Sequence, residues 1–268
     1  MKLTQVLNIA NFKGGVGKTT TSVILSLLLS QKQQKVLFID FDPQANATDL
    51  LFYKTFAKEE IHTSIYEALK AKDLSSTIHK LSDTLDIIPA EGDLRNFSRL
   101  LNEMFNKDYK MYGYLLDALL QPIKDNYDFI FIDVPPTISD FTDNAIVASD
   151  QIALVIQTQE FSLGAAENFI PYIEEALKTY DTDINFLATI PVLLKRKGST
   201  DRFILQEAKK VFGDKVTKNK IQIRERIKAW GLTGIKNEDH HDKAVIKMFN
   251  KLADELIGKL KEQESVEQ

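Results

Sequence analysis

Short apolar runs alternate along the chain with longer stretches in which apolar residues recur every three or four positions. The runs cover residues 6–10 (VLNIA), 35–40 (KVLFID), 85–90 (LDIIPA), 127–136 (YDFIFIDVPP), 151–158 (QIALVIQT) and 184–190 (INFLATI). Near-continuous hydrophobicity over so few residues predicts strands buried on both faces. The longer periodic stretches predict helices over 19–30, 94–105, 112–123, 163–180 and 199–212. Strand and helix in alternation predict an α/β architecture: one mostly parallel sheet with helices on both faces. No linker, repeat or low-complexity segment interrupts the pattern, so a single domain over residues 1–262 is expected, with 263–268 as a frayed tail.

One further stretch, VIKMFNKLADELIGKL, places Ile246, Phe249, Leu252, Leu256 and Leu260 at helical spacing. A basic amphipathic terminus would suit a membrane surface, but the tail that follows is acidic and opposes anionic lipid. Packing onto the body is the expectation, with no membrane partner. No apolar run approaches the roughly 20 residues that span a bilayer. The first residues lead straight into a strand pattern, which is unlike a signal peptide. The 268 residues contain no cysteine. That excludes disulfides, thiolate metal sites and iron–sulfur clusters, and a cytoplasmic location is expected. The pair His240 and His241, between Asp239 and Asp242, brings no further ligands into view and is expected to be a hydrated helix start.

Ligands of parallel sheets bind at the carboxyl ends of the strands. Four segments lie there: the stretch after the first run, DFDPQ (40–44), DVPP (133–136) and QTQEF (157–161). The first reads NFKGGVGKTTT over 11–21. The usual phosphate-binding spacing is G-x-x-x-x-G-K-[ST]. Its first glycine falls at position 12, where this chain has Phe12, and Lys13 adds a cation that the pattern does not require. The rest fits. Gly14, Gly15 and Gly17, with Val16 between them, let backbone N–H groups approach phosphate oxygens. The helix behind, opening with Thr19 and Thr20, directs its positive end there. Lys18 can reach the β- and γ-phosphates of a bound triphosphate, and the Thr19 hydroxyl can ligate Mg²⁺. Asp133 ends an apolar strand, where a carboxylate holds the metal shell. Asp40 and Asp42, two apart at the end of another strand, face the same side. One can activate water while the other supports the metal.

KGGVGKTT, FIDFDPQANAT and FIFIDVPP together resemble the ParA/MinD family of deviant Walker A ATPases, closest to its ParA-type DNA-partition members. DPQANAT departs from the family's D-P-Q-G-N-A-T at Ala45. The resemblance implies ATP and Mg²⁺ as ligands and an ATPase active as a homodimer with two ATPs between the subunits. It makes Lys13 the signature lysine that reaches the partner's nucleotide, and Gly14 a residue close to the partner. By position Lys18 and Thr19 become phosphate and metal residues, Asp42 the acid that activates water and Asp133 the Walker B carboxylate; Asp40 supports the metal shell. It also implies a ParB-like centromere-binding partner, nonspecific binding of double-stranded DNA, plasmid or chromosome cargo, and association with the nucleoid. The helix-turn-helix domain that precedes the first strand in some relatives is not expected.

Charge agrees with that output. Residues 195–228 hold 12 Lys+Arg and 4 Asp+Glu, a net of +8, while the whole chain is −4 and the remainder −12. Such asymmetry suits a phosphate backbone, with Lys195, Lys197, Arg224 and Arg226 as the candidate contacts. Two rivals remain at this point: a MinD-like membrane-associated positioning ATPase, and a P-loop ligase or phosphotransferase acting on a small molecule. The basic segment speaks against the first and Lys13 against the second.

Overall fold

The computed structural model describes residues 4–157, 161–194 and 199–266. Its first half runs β1 (Gln5–Ala10), α1 (Lys18–Gln31), β2 (Val36–Asp40), α2 (Asn46–Thr48), α3 (Ile65–Ala71), β3 (His79–Lys80), β4 (Leu85–Ile88), α4 (Phe97–Met104) and α5 (Leu115–Lys124). The second half runs β5 (Phe129–Asp133), α6 (Asp140–Ala148), β6 (Gln151–Gln157), α7 (Phe161–Tyr180), β7 (Asn185–Val192), α8 (Ser199–Phe212), α9 (Glu225–Thr233) and α10 (His240–Val266). The strands form one sheet in the order β3-β4-β2-β5-β1-β6-β7. Every pairing is parallel except β3 with β4.

This is the expected α/β sheet. One face packs against α1 and α10, where Leu7, Ile9, Phe38 and Phe131 meet Leu28, Phe249 and Leu252. The other face carries α3 to α6, and α7 and α8 cover it beside β6 and β7. The strands read as unbroken apolar runs because both faces are covered. The terminal stripe is also spent on the body: Phe249, Leu252, Leu256 and Leu260 are buried, and Ile246 packs at the margin. No helix among the described residues is long and apolar enough to cross a membrane.

Several elements lie outside the sequence-based expectation. The short edge strand β3 runs antiparallel, α6 follows β5 within seven residues, and α2 passes directly into π-helical turns over Asp49–Thr55. The terminal helix runs to Val266. At its start Asp239 accepts from the amides of His241 (2.8 Å) and Asp242 (2.9 Å), while Asp242 accepts from the amide of Asp239 (3.3 Å). These reciprocal bonds cap the helix, the role expected for the segment around the histidine pair.

Candidate nucleotide site

β1 lies inside the sheet, between the central strand β5 and β6. The loop that leaves its carboxyl end therefore rises beside the ends of β5 and β2. The chain turns there at Gly15 (φ 73°) and Gly17 (φ 91°), in the left-handed region that glycine enters without strain. Position 12 has no such need, and that is why Phe12 can replace the glycine of the usual pattern. Its ring packs on Phe169 (4.6 Å between centroids) and Tyr172 (5.1 Å) of α7. The first helical hydrogen bond runs from the Thr21 amide to the Gly17 carbonyl at 2.9 Å. The amides just ahead of it have no partner within the helix, and α1 has no acidic residue in its first turn to compete for them. Loop and helix thus form a cradle of donors suited to phosphate. Val16 is buried beneath it and Gly14 is exposed at its rim.

Three carboxylates and one lysine meet below the loop. Strand register pairs Asp40 with Asp133 at the ends of β2 and β5, and all three aspartates and Lys18 are buried. The Thr19 hydroxyl donates to Asp133 Oδ2 at 2.7 Å, whereas Oδ1 of the same carboxylate is buried without a partner. Burial, with Asp40 alongside, raises the Asp133 carboxyl to about 8, against the pull of Thr19 and Lys18. Burial lowers the Lys18 ammonium, opposed by Asp133 and Asp42. One cation facing three buried carboxylates leaves net negative charge, and an orphaned carboxylate oxygen beside a hydroxyl is a donor pair for a hard cation. The residues fit Mg²⁺, which Thr19 and Asp133 would hold.

Asp40 is placed differently from the expectation of a metal-shell residue. Its Oδ2 accepts from the amide (2.8 Å) and hydroxyl (2.7 Å) of Thr48, and its Oδ1 accepts from the Asp42 amide at 3.2 Å. Burial raises its carboxyl to about 6, opposed by the Thr48 bonds. Both oxygens hold the turn that carries Asp42, so Asp40 works through that turn. Asp42 accepts from the Gln44 amide at 2.9 Å. Ala45 closes the turn in the left-handed region (φ 54°), where the family pattern has glycine.

The sequence reading missed Asn11. Its buried amide donates to the Val155 carbonyl of β6 at 2.6 Å, and its Oδ1 accepts from the Lys13 amide at 2.8 Å. A polar residue closing an apolar strand was the available signal. Among the described residues no carboxylate lies at ion-pair distance from the Lys13 ammonium. Thr20 lies in the first turn of α1 and is half-buried.

The DNA candidates fare unevenly. Lys195 and Lys197 lie outside the described residues, as do positions 158–160 of the QTQEF segment. Arg224 stands at the start of α9, and its side chain donates to Gln222 at 3.3 Å, with no ion pair among the described residues. Arg226 requires a correction: its guanidinium is half-buried and pairs with Asp239 and with Asp242 (3.3 Å). A cation already held by two carboxylates on the body is not free for a phosphate. Trp230 is buried beside it and donates to Asp242 at 3.0 Å.

Comparison with known proteins agrees with this geometry. Residues 4–186 match the family model described as AAA domain. Sporulation initiation inhibitor protein Soj of Bacillus subtilis is 32% identical over 219 residues, which cover 81% of this chain and 83% of Soj. Chromosome partitioning protein ParA of Caulobacter vibrioides is 31% identical, over 79% of this chain and 78% of that one. A putative plasmid partition protein of Borrelia burgdorferi, solved with AMPPNP, superposes with a TM-score of 0.75 at 25% identity, covering 98% of this chain and all of that one. The fold, the strand-end aspartates and these relatives lead to one family: the chain belongs to the ParA-type P-loop ATPases.

Proposed function

We propose that this protein is an ATP-dependent dimerising switch for plasmid or chromosome partition. ATP binds in the loop of residues 13–20, with Lys18 on its phosphates. Mg²⁺ supplies charge neutralisation of the phosphates when bound between Thr19 and Asp133. Lys13 completes the site of a second subunit, and Asp42 orients and deprotonates the attacking water. Asp40 and Thr48 hold Asp42 in place for that step. The ATP-bound homodimer binds double-stranded DNA of no particular sequence and associates with the nucleoid of the cytoplasm. A ParB-like centromere-binding partner stimulates hydrolysis, and hydrolysis releases the dimer.

The observation that carries this reading is a Lys13 ammonium with no carboxylate at ion-pair distance among the described residues, in the same loop as a phosphate and metal cradle. Lys18 already supplies the cradle's own cation, so a second lysine in a desolvated site has most to gain from another subunit's nucleotide. The test is the mass of the protein in solution with no nucleotide, ADP or ATP, for wild type, Lys13→Ala and Asp42→Ala. A dimer should form with ATP alone in wild type, fail in Lys13→Ala and persist in Asp42→Ala, whose hydrolysis is lost. An ATP-bound monomer in wild type would overturn the switch.

A further inference from the structure

A crowd of lysines lines one edge of the molecule. After α8, residues 213–222 run alongside β7 in parallel, with bridges from Thr189 to Val216 and from Leu194 to Gln222. Between this segment, α8 and α10 lies a cavity of about 730 Å³, lined in part by Lys209, Lys218, Lys220, Lys259 and Glu255. A second cavity of about 460 Å³ adjoins it and shares Lys259, Asp214 and Glu262, with Lys215 on its wall.

Among the described residues these cations make no ion pair, unlike Lys210, Arg226 and Lys228 of the same basic segment, although Asp214, Glu255 and Glu262 also line the two cavities. Lys210 pairs with Glu207, Lys228 with Glu225, and Arg226 with Asp239 and Asp242. Among the described residues, no carboxylate lies at ion-pair distance from Lys209, Lys215, Lys218, Lys220 or Lys259. Glu255 lines the cavity, but its oxygens are taken by the amides of Lys218 (2.6 Å) and Asn219 (2.8 Å) and by the Asn219 side chain (2.8 Å). Lys259 donates to the Asp214 carbonyl at 2.8 Å, a neutral partner. Burial and the nearby Lys209 lower the Lys220 ammonium, and burial and Lys259 lower Lys215. Like charges held together are unfavourable until an anion joins them.

Their arrangement narrows the choice of anion. Lys215, Lys218 and Lys220 follow one another on the segment that tracks β7, and Arg224 follows at the start of α9. From Thr189 at the first bridge to its end at Val192, β7 advances about 10 Å, the rise of roughly three base pairs. A row of cations along an edge suits a ladder of phosphates better than a single compact one.

We propose that the lysine groove between α8, residues 213–222 and α10 binds the phosphate backbone of duplex DNA. The DNA face then follows the outer edge of β7, and Arg226 holds the fold behind it. This inference rests on the DNA reading above and gives it residues.

The test is binding of a short random-sequence duplex over a salt series, with ATP present. It compares wild type, Lys209→Gln/Lys220→Gln, Lys218→Gln/Lys259→Gln, and a control, Lys58→Gln/Lys70→Gln, on the β3–β4 side of the sheet. Each phosphate contact contributes about 0.9 to the slope of log K against log salt. Each groove double variant should therefore lower the slope by about 2 and weaken binding several-fold at fixed salt. Melting temperature and ATP-dependent dimerisation should stay at wild-type values, and the control should bind as wild type does. If wild type binds DNA and both groove variants keep its affinity and slope, the groove proposal is overturned and the DNA reading stands. If wild type binds no DNA with any nucleotide, both fall.

Discussion

Asn11 holds Lys13 by the backbone: its Oδ1 accepts the Lys13 amide at 2.8 Å while its amide is anchored to Val155 at 2.6 Å. Phe12, between them, seats its ring on α7. The start of the loop is thus tied to β6 and α7 before any nucleotide arrives. Asn11→Ala leaves the Val155 carbonyl and the Lys13 amide unpaired, at a cost of roughly 1–3 kcal/mol. The expected outcome is a lower melting temperature and ATP-dependent dimerisation that needs more ATP. Asn11→Asp keeps the acceptor for Lys13, so it should restore dimerisation ahead of stability. Equal loss of both in the two variants would reduce Asn11 to a core residue.

Gly14 separates fold from assembly. A Cβ added there meets only Pro136 Cγ, at 3.7 Å, an ordinary contact. Gly14→Val should therefore unfold within about 0.5 kcal/mol of wild type, as surface substitutions do. If Gly14 lies against the partner's loop, the same variant binds ATP and stays monomeric in sedimentation. Dimerisation at wild-type affinity would move the subunit contact elsewhere.

The carboxylates below the loop make the nucleotide-free protein sensitive to pH. Asp133 and Asp40 are raised to about 8 and about 6 from an ordinary 3.8. The folded chain therefore holds protons that the unfolded chain has released, and stability falls as pH rises through this window. Melts in a chelator should show the decline from about pH 4, where the unfolded carboxyls ionise, to about pH 8, with Asp40 contributing up to about pH 6 and Asp133 over the whole range. Asp133→Asn removes the ionisation, so it should flatten the decline and exceed wild type by at least about 1 kcal/mol at its upper end. A steeper decline in the variant would assign the effect to other groups.

Much of this site was legible because its residues sit where apolar runs stop. Asp40 and Asp133 end buried strands, and GKTT opens a helix, so order along the chain places them together once the sheet is parallel. What could not be read is how polar side chains spend their bonds. Asp40 and Asp42 look equivalent by spacing, yet Asp40 is consumed by Thr48 and Asp42, an outcome of the turn and not of strand period. The helical turns over Asn46–Thr55 escaped because they combine a left-handed Ala45 with a π-helical pitch, to which a 3.6-residue period is blind.

Ala45 offers a measurable residue of that turn. An L side chain in the left-handed region costs about 1–2 kcal/mol, partly offset by the smaller entropy loss of alanine on folding. Ala45→Gly should stabilise the protein by about 0.5–1 kcal/mol, seen as a higher urea midpoint at unchanged slope. A lower midpoint would mean that the methyl group's packing outweighs the backbone strain.

Arg226 shows how composition misleads about a basic surface. It lies in the stretch of highest positive charge, but it bridges α9 to the start of α10 through Asp239 and Asp242, and the Asp242 side chain is only 2% exposed. Removing the guanidinium leaves a buried carboxylate with amide and indole donors alone. Arg226→Ala should therefore destabilise the protein by roughly 1–3 kcal/mol. Below its lowered melting temperature, the salt slope for duplex DNA should match wild type, because no phosphate contact is lost. Arg224→Ala should do the reverse, keeping stability and lowering the slope by about 0.9. If Arg226→Ala instead lowers the slope at unchanged stability, its ion pairs open in the complex and the arginine belongs to the DNA surface after all.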